Sequence, residues 1–358
     1  MNRFKPLNFL FIILFSVELI SCHTAVQNHP APVVVNRYFY YWQEDTWRLK
    51  YNDTAYFRMQ KHGANALYLK ILDIDWNPVN HAYPVSITRG GYGRYDSPWE
   101  LTNGTDRVIR DVVPVIFITN KTMLNLTTDE LDTLAQKILR KCRVVTYSEL
   151  QIDCDWTEKS KDMYFAFLKS MKKALNGKKL SATVRLYQYK YRDKTGVPPV
   201  DKGMLMVYNV RNVKDYNTYN SIFDEDEAEK YIDGVAKYPI RLDIALPAFS
   251  WAVIYRDKQF YCMMRDIKPI LKDTCRFLEK KSPGYLVKTD HMYNDTYLRV
   301  GDEIKIEAVT NDMMVDAAKL ARQCVNSDTV NVSLFEIDEV VNNKVPDETI
   351  EAVYNSLR

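Results

Sequence analysis

The 358-residue sequence is short of metal ligands and of glycine, with six cysteines, five histidines and eleven glycines. It contains no CxxC spacing and no Cys/His cluster, so nothing points to a metal site. His62, His81 and His291 are scattered singly, as solvated or locally bonded histidines are. No glycine-rich phosphate loop follows the first strand-like run. GGYGR at 90–94 lies in a long loop with no helix opening from it, which argues against a dinucleotide. No cofactor is therefore expected. The net charge of +3 comes without a dense Lys/Arg block, which argues against nucleic acid as a partner. What remains, with 46% hydrophobic and 27% charged residues, is enough for a sizeable core.

At the N-terminus, Arg3 and Lys5 precede an apolar run, LNFLFIILFSVELI, that is short for a membrane span but suits a signal peptide. It closes on Leu19-Ile20-Ser21-Cys22, which resembles the bacterial lipobox. That resemblance implies that residues 1–22 are a lipoprotein signal and that Cys22 is lipidated, with ordinary signal-peptidase cleavage the alternative. Residues 23–35, polar and proline-containing, then read as a tether. The expected setting is the bacterial cell envelope, with a monomer held to a membrane through its lipid anchor.

From residue 36 onward strand-like runs alternate with amphipathic helices. The runs are RYFYYW (37–42), ALYLKILDI (66–74), VVPVIFIT (112–119), ELQIDCDW (149–156), LSATVRLYQY (180–189), GMLMVYNV (203–210), LDIALPAFSW (242–251) and VNVSLFEI (330–337). Between them, Thr127 with Glu130 offers a capping box, Ser160 a cap for the next helix, and Asp312 a start for another. Eight strand–helix units predict an α/β fold, a (β/α)8 TIM barrel over residues 36–342. Residues 283–308 alternate polar and apolar and predict a small β-rich insertion, and 343–358 a C-terminal helix packed on the barrel. The segment 75–111 is long and aromatic, with Trp76, Tyr83, Tyr92, Tyr95 and Trp99. Cys142, Cys154 and Cys324 read as buried thiols, and Cys262 with Cys275 as a conceivable disulfide.

Ligands of such barrels bind at the carboxyl ends of the strands, and here several strands turn polar. These ends carry Asp73 and Asp75, Asn120, Asp153 and Asp155, Gln188, Tyr208 and Asn209, Ser250, and Glu336. LQIDCDWT (150–157) is the most unusual, because period-two alternation puts Gln151, Asp153 and Asp155 on one face. Carboxylates there are costly unless paired or used. Arg185 on the next strand is a plausible structural partner for Asp153. Trp42, Trp76, Trp156 and Trp251 cluster near strand ends, where aromatic rings can stack on sugar rings or pack the helix layer.

ELQIDCDWT, followed by a helix, resembles the fourth-strand signature D-x-x-D-x-D-x-E of the chitinase-like (family 18) glycoside hydrolases. MVYNV resembles that family's Met-x-Tyr-Asp, and ALPAFSW its Pro-aromatic seventh strand. The Gln-Ile-Asp-x-Asp form also resembles a group of bacterial barrel proteins related to glycosidases. The resemblance spans roughly 36–342 but rests on few residues. Asp153 and Asp155 fall on the family's second and third aspartates, and Met206 and Tyr208 match. Leu150, Thr157 and Asn209 stand where the family has aspartate, the acid glutamate and aspartate. Threonine cannot supply the acid's proton at neutral pH, so the family's mechanism is not expected from these residues.

The residues point first to an envelope-anchored glycoside hydrolase-like protein acting on the O-glycosidic bonds of a glycan. Asp155 would be the acid/base and Asp153 its support. Tyr208 would be a hydrogen-bond donor, and Glu336 or Asp75 a carboxylate across the barrel. Trp42, Asp75, Trp76, Gln188, Asn209 and Trp251 would bind substrate. A non-catalytic glycan-binding lipoprotein and an envelope scaffold are the alternatives.

Overall fold

The computed structural model describes residues 32–42, 58–64, 66–87, 102–103, 106–107, 111–265, 277–282, 284–293, 295–337 and 345–358. Cys22, the tether as far as residue 31, Cys275 and the loop aromatics Tyr92, Tyr95 and Trp99 lie outside the described residues. Residues Pro32–Arg358 form one unit with no boundary near residue 200.

Eight parallel strands close into a barrel: β1 (Val34–Tyr41), β2 (Ala66–Asn77), β3 (Asp111–Ile118), β4 (Glu149–Asp153), β5 (Lys179–Arg185), β6 (Lys202–Met206), β7 (Leu242–Pro247) and β8 (Thr329–Phe335). Closure comes from β1, which pairs with β8 from Val34↔Thr329 and with β2 from Tyr38↔Ala66. All eight strand-like runs of the sequence are strands, and the fold is the (β/α)8 barrel. Four ends fall three or more residues earlier than alternation suggested, β4 already at Asp153. β5 stops at Arg185 and Leu186–Lys190 turns into a short helix, while β6 stops at Met206 and β7 at Pro247.

The covering helices bury one face each. Lys161–Ala174 buries Tyr164, Phe167, Leu168 and Met171, a single stripe at helical spacing. Glu130 Oε2 accepts from both Thr127 N and Thr127 Oγ1, fixing the turn before helix Leu131–Lys141. Ser160 does not cap its helix as expected. Its hydroxyl accepts from Thr157 N and donates to Asn120 Oδ1 at 2.5 Å, joining two loops. Thr310, not Asp312, caps helix Asn311–Arg322 by accepting from Met313 N. Helix Asp347–Asn355 lies against β1, where Arg37 forks onto both Glu351 oxygens at 2.7 Å.

Two additions rise from the ring. β2 outruns its neighbours and folds back on His81–Ile87 as an antiparallel ribbon, which carries Tyr83 out of the long loop expected there. Between β7 and β8 stands a five-stranded antiparallel sheet, in order 259–264, 250–256, 303–308, 284–287 and 278–281. It therefore begins well before residue 283. Its inner face holds the segment after β6: Lys305 Nζ donates to the Tyr216 and Thr218 carbonyls, and Ser221 N donates to Glu307 Oε2 at 2.9 Å.

Inside the lower barrel a polar ladder crosses six strands. Ser181 Oγ donates to Glu149 Oε1 at 2.6 Å, and Lys202 Nζ to Glu149 Oε2 at 2.8 Å and Asp243 Oδ2 at 2.5 Å. Asn331 bonds Asp243 through both its backbone and side-chain nitrogens at 3.0 Å, and Asn36 Nδ2 reaches Asn331 Oδ1. Above it, Tyr40 and Tyr68 stack with ring centroids 4.8 Å apart, and the Tyr40 hydroxyl donates to Gln151 Oε1. These layers floor the site.

Candidate functional site

Alternation along β4 and just beyond it sends Glu149, Gln151, Asp153 and Asp155 inward as successive rungs, while Leu150, Ile152 and Cys154 are buried in the opposite, apolar layer. Ser181, Thr183 and Arg185 make the matching rungs of β5. Thr183 Oγ1 donates to Asp153 Oδ1 at 2.7 Å. Arg185 does not pair with Asp153, as expected from sequence, but forks onto Asp155, with Nε to Oδ1 at 2.5 Å and Nη2 to Oδ2 at 3.3 Å. The physical reason is rung height: Asp155 and Arg185 both lie one step above the Asp153–Thr183 rung. Asp153 is buried, and that burial pushes its carboxyl up to about 6. The Arg185 charge pulls it back, while Asp155 and Asp73 add to the rise. Asp155 itself is half exposed at the rim.

Facing this pair, Tyr208 lies just past the end of β6, buried, with its ring 5.8 Å from the Arg185 guanidinium. Phe335 stacks on it at 5.3 Å and Phe249 meets it edge-on at 5.8 Å. Burial raises the Tyr208 phenol well above its ordinary value, so it remains a donor. Trp42 closes the other side at 5.6 Å from Phe335 and 6.4 Å from Phe117, with Lys70 Nζ 5.7 Å from its ring. Lys70 is buried and donates to Asp73 Oδ2 at 2.9 Å. Four buried polar atoms at this end have no hydrogen-bond partner: Tyr208 Oη, Arg185 Nη1, Asp73 Oδ1 and, on the β2 extension, Trp76 Nε1.

The other sequence candidates take varied places. Glu336 is buried just past β8 and accepts from Arg265 Nη1 at 3.1 Å. Asp75 accepts from Thr119 Oγ1 at 2.7 Å, a bond that lowers its pKa, on the β2 extension that also carries Trp76. Asn209 is exposed in a left-handed conformation with φ of 57°, and its N–H donates to the Ile222 carbonyl. Gln188 sits on the short helix after β5, where its amide accepts from Arg185 N and donates to the Trp156 carbonyl. It shapes the β5 end from beneath. Trp251 belongs to the antiparallel sheet and donates to Glu307 Oε2 at 2.9 Å, with its ring 5.2 Å from Phe249. Trp156 faces the helix layer, stacked on Tyr164. Thr157 is exposed, and its hydroxyl lies 3.4 Å from Ser160 Oγ. Among the described residues no cluster of metal-ligating side chains occurs. Cys142, Cys154, Cys262 and Cys324 are free thiols.

Lys70 and Arg185 were not among the sequence candidates for binding. Arg185 was within reach of period-two reasoning, which already put it inward with Thr183. Lys70 was not, because β2 carries an irregularity between Lys70 and Leu72 that breaks alternation and turns Asp73 to the same side as Lys70.

No family model matches the sequence, and no curated protein matches it. Several solved structures are similar in shape. A chitinase from Chromobacterium violaceum ATCC 12472 aligns at 12% identity over 91% of this chain and 99% of its own, with a TM-score of 0.48. The Bacillus cereus spore cortex-lytic enzyme SleL aligns at 11% identity over 90% and 74%, with a TM-score of 0.47. A GH113 beta-1,4-mannanase aligns at 9% identity over 91% and 99%, with a TM-score of 0.43.

Proposed function

We propose that the protein binds a glycan at the carboxyl end of the barrel and acts on its O-glycosidic bonds. One observation carries this reading: the unpartnered Tyr208 Oη, Arg185 Nη1 and Asp73 Oδ1, set beside the rings of Trp42 and Phe335. Buried polar groups are ordinarily bonded, so three that are not, at the end where such barrels bind ligands, await a polar partner. Aromatic faces beside convergent donors and acceptors suit a sugar ring and its hydroxyls.

In this reading Asp155 is the acid/base at the rim, and Asp153, whose burial raises its carboxyl to about 6, supports it from one rung below. Glu336 and Asp75 are the carboxylates across the mouth. Trp42, Trp76 and Asn209 border the ligand, while Gln188 and Trp251 support the walls. A binding-only role has one observation in its favour: both Asp155 oxygens are engaged by Arg185, and Thr157 supplies no acid. The same proposal places the barrel at the bacterial envelope through lipid on Cys22.

A panel of neutral and acidic oligosaccharides, followed by reducing-end release and by calorimetry, separates the roles. Hydrolysis lost in Asp155→Asn supports the enzyme, and binding without hydrolysis supports the receptor. Absence of both removes the glycan from the reading. Cys22→Ser should move the protein out of the membrane fraction.

A further inference from the structure

The charges around the mouth are matched in pairs. Lys70 meets Asp73, Arg185 meets Asp155, and Arg265 meets Glu336. After that pairing, two donors stay unmatched on one wall, Arg185 Nη1 and Tyr208 Oη, carried by adjacent strand ends with ring and guanidinium 5.8 Å apart. On the opposite wall Lys70, a buried ammonium with three N–H bonds, has Asp73 as its hydrogen-bonding neighbour and the Trp42 ring beside it. A guanidinium edge left unbonded out of water is among the costlier arrangements a site can hold. It is best answered by an acceptor that carries charge. Two donors side by side match an acceptor with two oxygens.

We propose that the sugar unit seated at this mouth carries a carboxylate, received by Arg185 Nη1 and Tyr208 Oη; the inference rests on the glycan reading above and names its substrate class. The nearby carboxylates do not forbid an anion, because Asp155 and Asp73 are each neutralised by their cation. Asp75, on the β2 extension, has Lys121 Nζ 4.0 Å away. Asp153 is then the remaining carboxyl, faced by Tyr40 of β1, Asp73 of β2, Asp155 just beyond its own strand, Arg185 of β5, Tyr208 beyond β6 and Tyr164 of the covering helix. Its burial favours the uncharged form, so an arriving anion and a proton on Asp153 help one another.

The test compares uronic-acid oligosaccharides with their carboxyl-reduced counterparts by calorimetry on the full chain. The acidic member of each pair should bind at least about tenfold more tightly, the worth of one good hydrogen bond to a charged group. The preference should strengthen as pH falls from about 7.5 toward 6, where the uronate remains ionised. Tyr208→Phe removes only a hydroxyl that has no partner in the fold, and with Arg185→Lys it should bring the acid-to-neutral ratio close to one. In Asp153→Asn the pH dependence of that ratio should vanish. Equal or tighter binding of the reduced counterparts overturns the inference and leaves the glycan reading standing. Failure of both members to bind overturns both.

Discussion

The two halves of the barrel interior treat buried charge in opposite ways. Below the Tyr40–Tyr68 layer, Glu149, Lys202, Asp243 and Asn331 are bonded to one another, and the Lys202 ammonium sits between two carboxylates. Above it, Asp153 has a threonine for its bonded neighbour, and Tyr208, Arg185 and Asp73 each leave a polar atom unbonded. The lower half spends its charged groups on one another. The upper half leaves them available, so deleting a group in the two places should have different consequences.

The sharpest contrast pairs one substitution from each half. Asp155→Asn at the rim should lower turnover by on the order of 10²–10⁴, or weaken glycan binding if no turnover exists, while the melting temperature hardly moves. Lys202→Met should do the reverse. It strands Glu149 without its cation and leaves Asp243 with Arg241 at 3.6 Å, at a cost of about 3–5 kcal/mol in urea unfolding, and ligand affinity should persist in whatever fraction stays folded. A large stability loss in Asp155→Asn would make it a structural carboxylate and erase the distinction between the halves.

A pH titration of stability gives the next effect. Asp153 is raised from 3.8 to about 6 in the fold, so between those values the native state holds more protons than the unfolded chain. The stabilisation by protonation is therefore complete below about pH 4 and lost as pH rises through about 6, at most about 3 kcal/mol. Asp153→Asn should flatten that segment of the curve. Glu351 runs the other way and is smaller. Bonding to Arg37, then to His62, holds it down at about 2, so its contribution is present above about 4.5 and fades as pH falls toward 2. Its side chain is 41% exposed, which keeps the loss in Glu351→Gln under about 1 kcal/mol.

How much of this was legible in the sequence follows from which signals are local. The eight strands were, because apolar runs bounded by capped helices leave few other topologies, and β4 gave the inward direction of Asp153 and Asp155 by alternation alone. Strand ends were not. Ala248 and Phe249 read as a continuation of β7, yet Ser250–Arg256 pairs across with 303–308, a partner that no local pattern announces. Trp42 and Trp156 have the same chemistry and similar positions. One lines the mouth and the other stacks on Tyr164; Trp156 is next to the inward Asp155, and that parity turns it outward. Gln188 was placed on a strand that had already turned into helix, since LYQY suits either state. Position on the neighbouring strand makes Arg185 a structural tie for Asp153. Its height on β5 gives it to Asp155 instead, and leaves one nitrogen over.

The seam between β1 and β8 has a consequence for how the chain reaches this state. Asn36 and Asn331 meet across it although 295 residues separate them, and the antiparallel sheet of 250–308 must form or be carried along before β8 can arrive. Closing so long a loop is entropically expensive, so the zippering of β8 is the step expected to limit folding. Until it happens, β1 and β7 each expose a bare edge of backbone donors and acceptors to any other nascent chain. A chain truncated before Thr329 would keep those edges permanently and should accumulate as aggregates rather than as a smaller barrel.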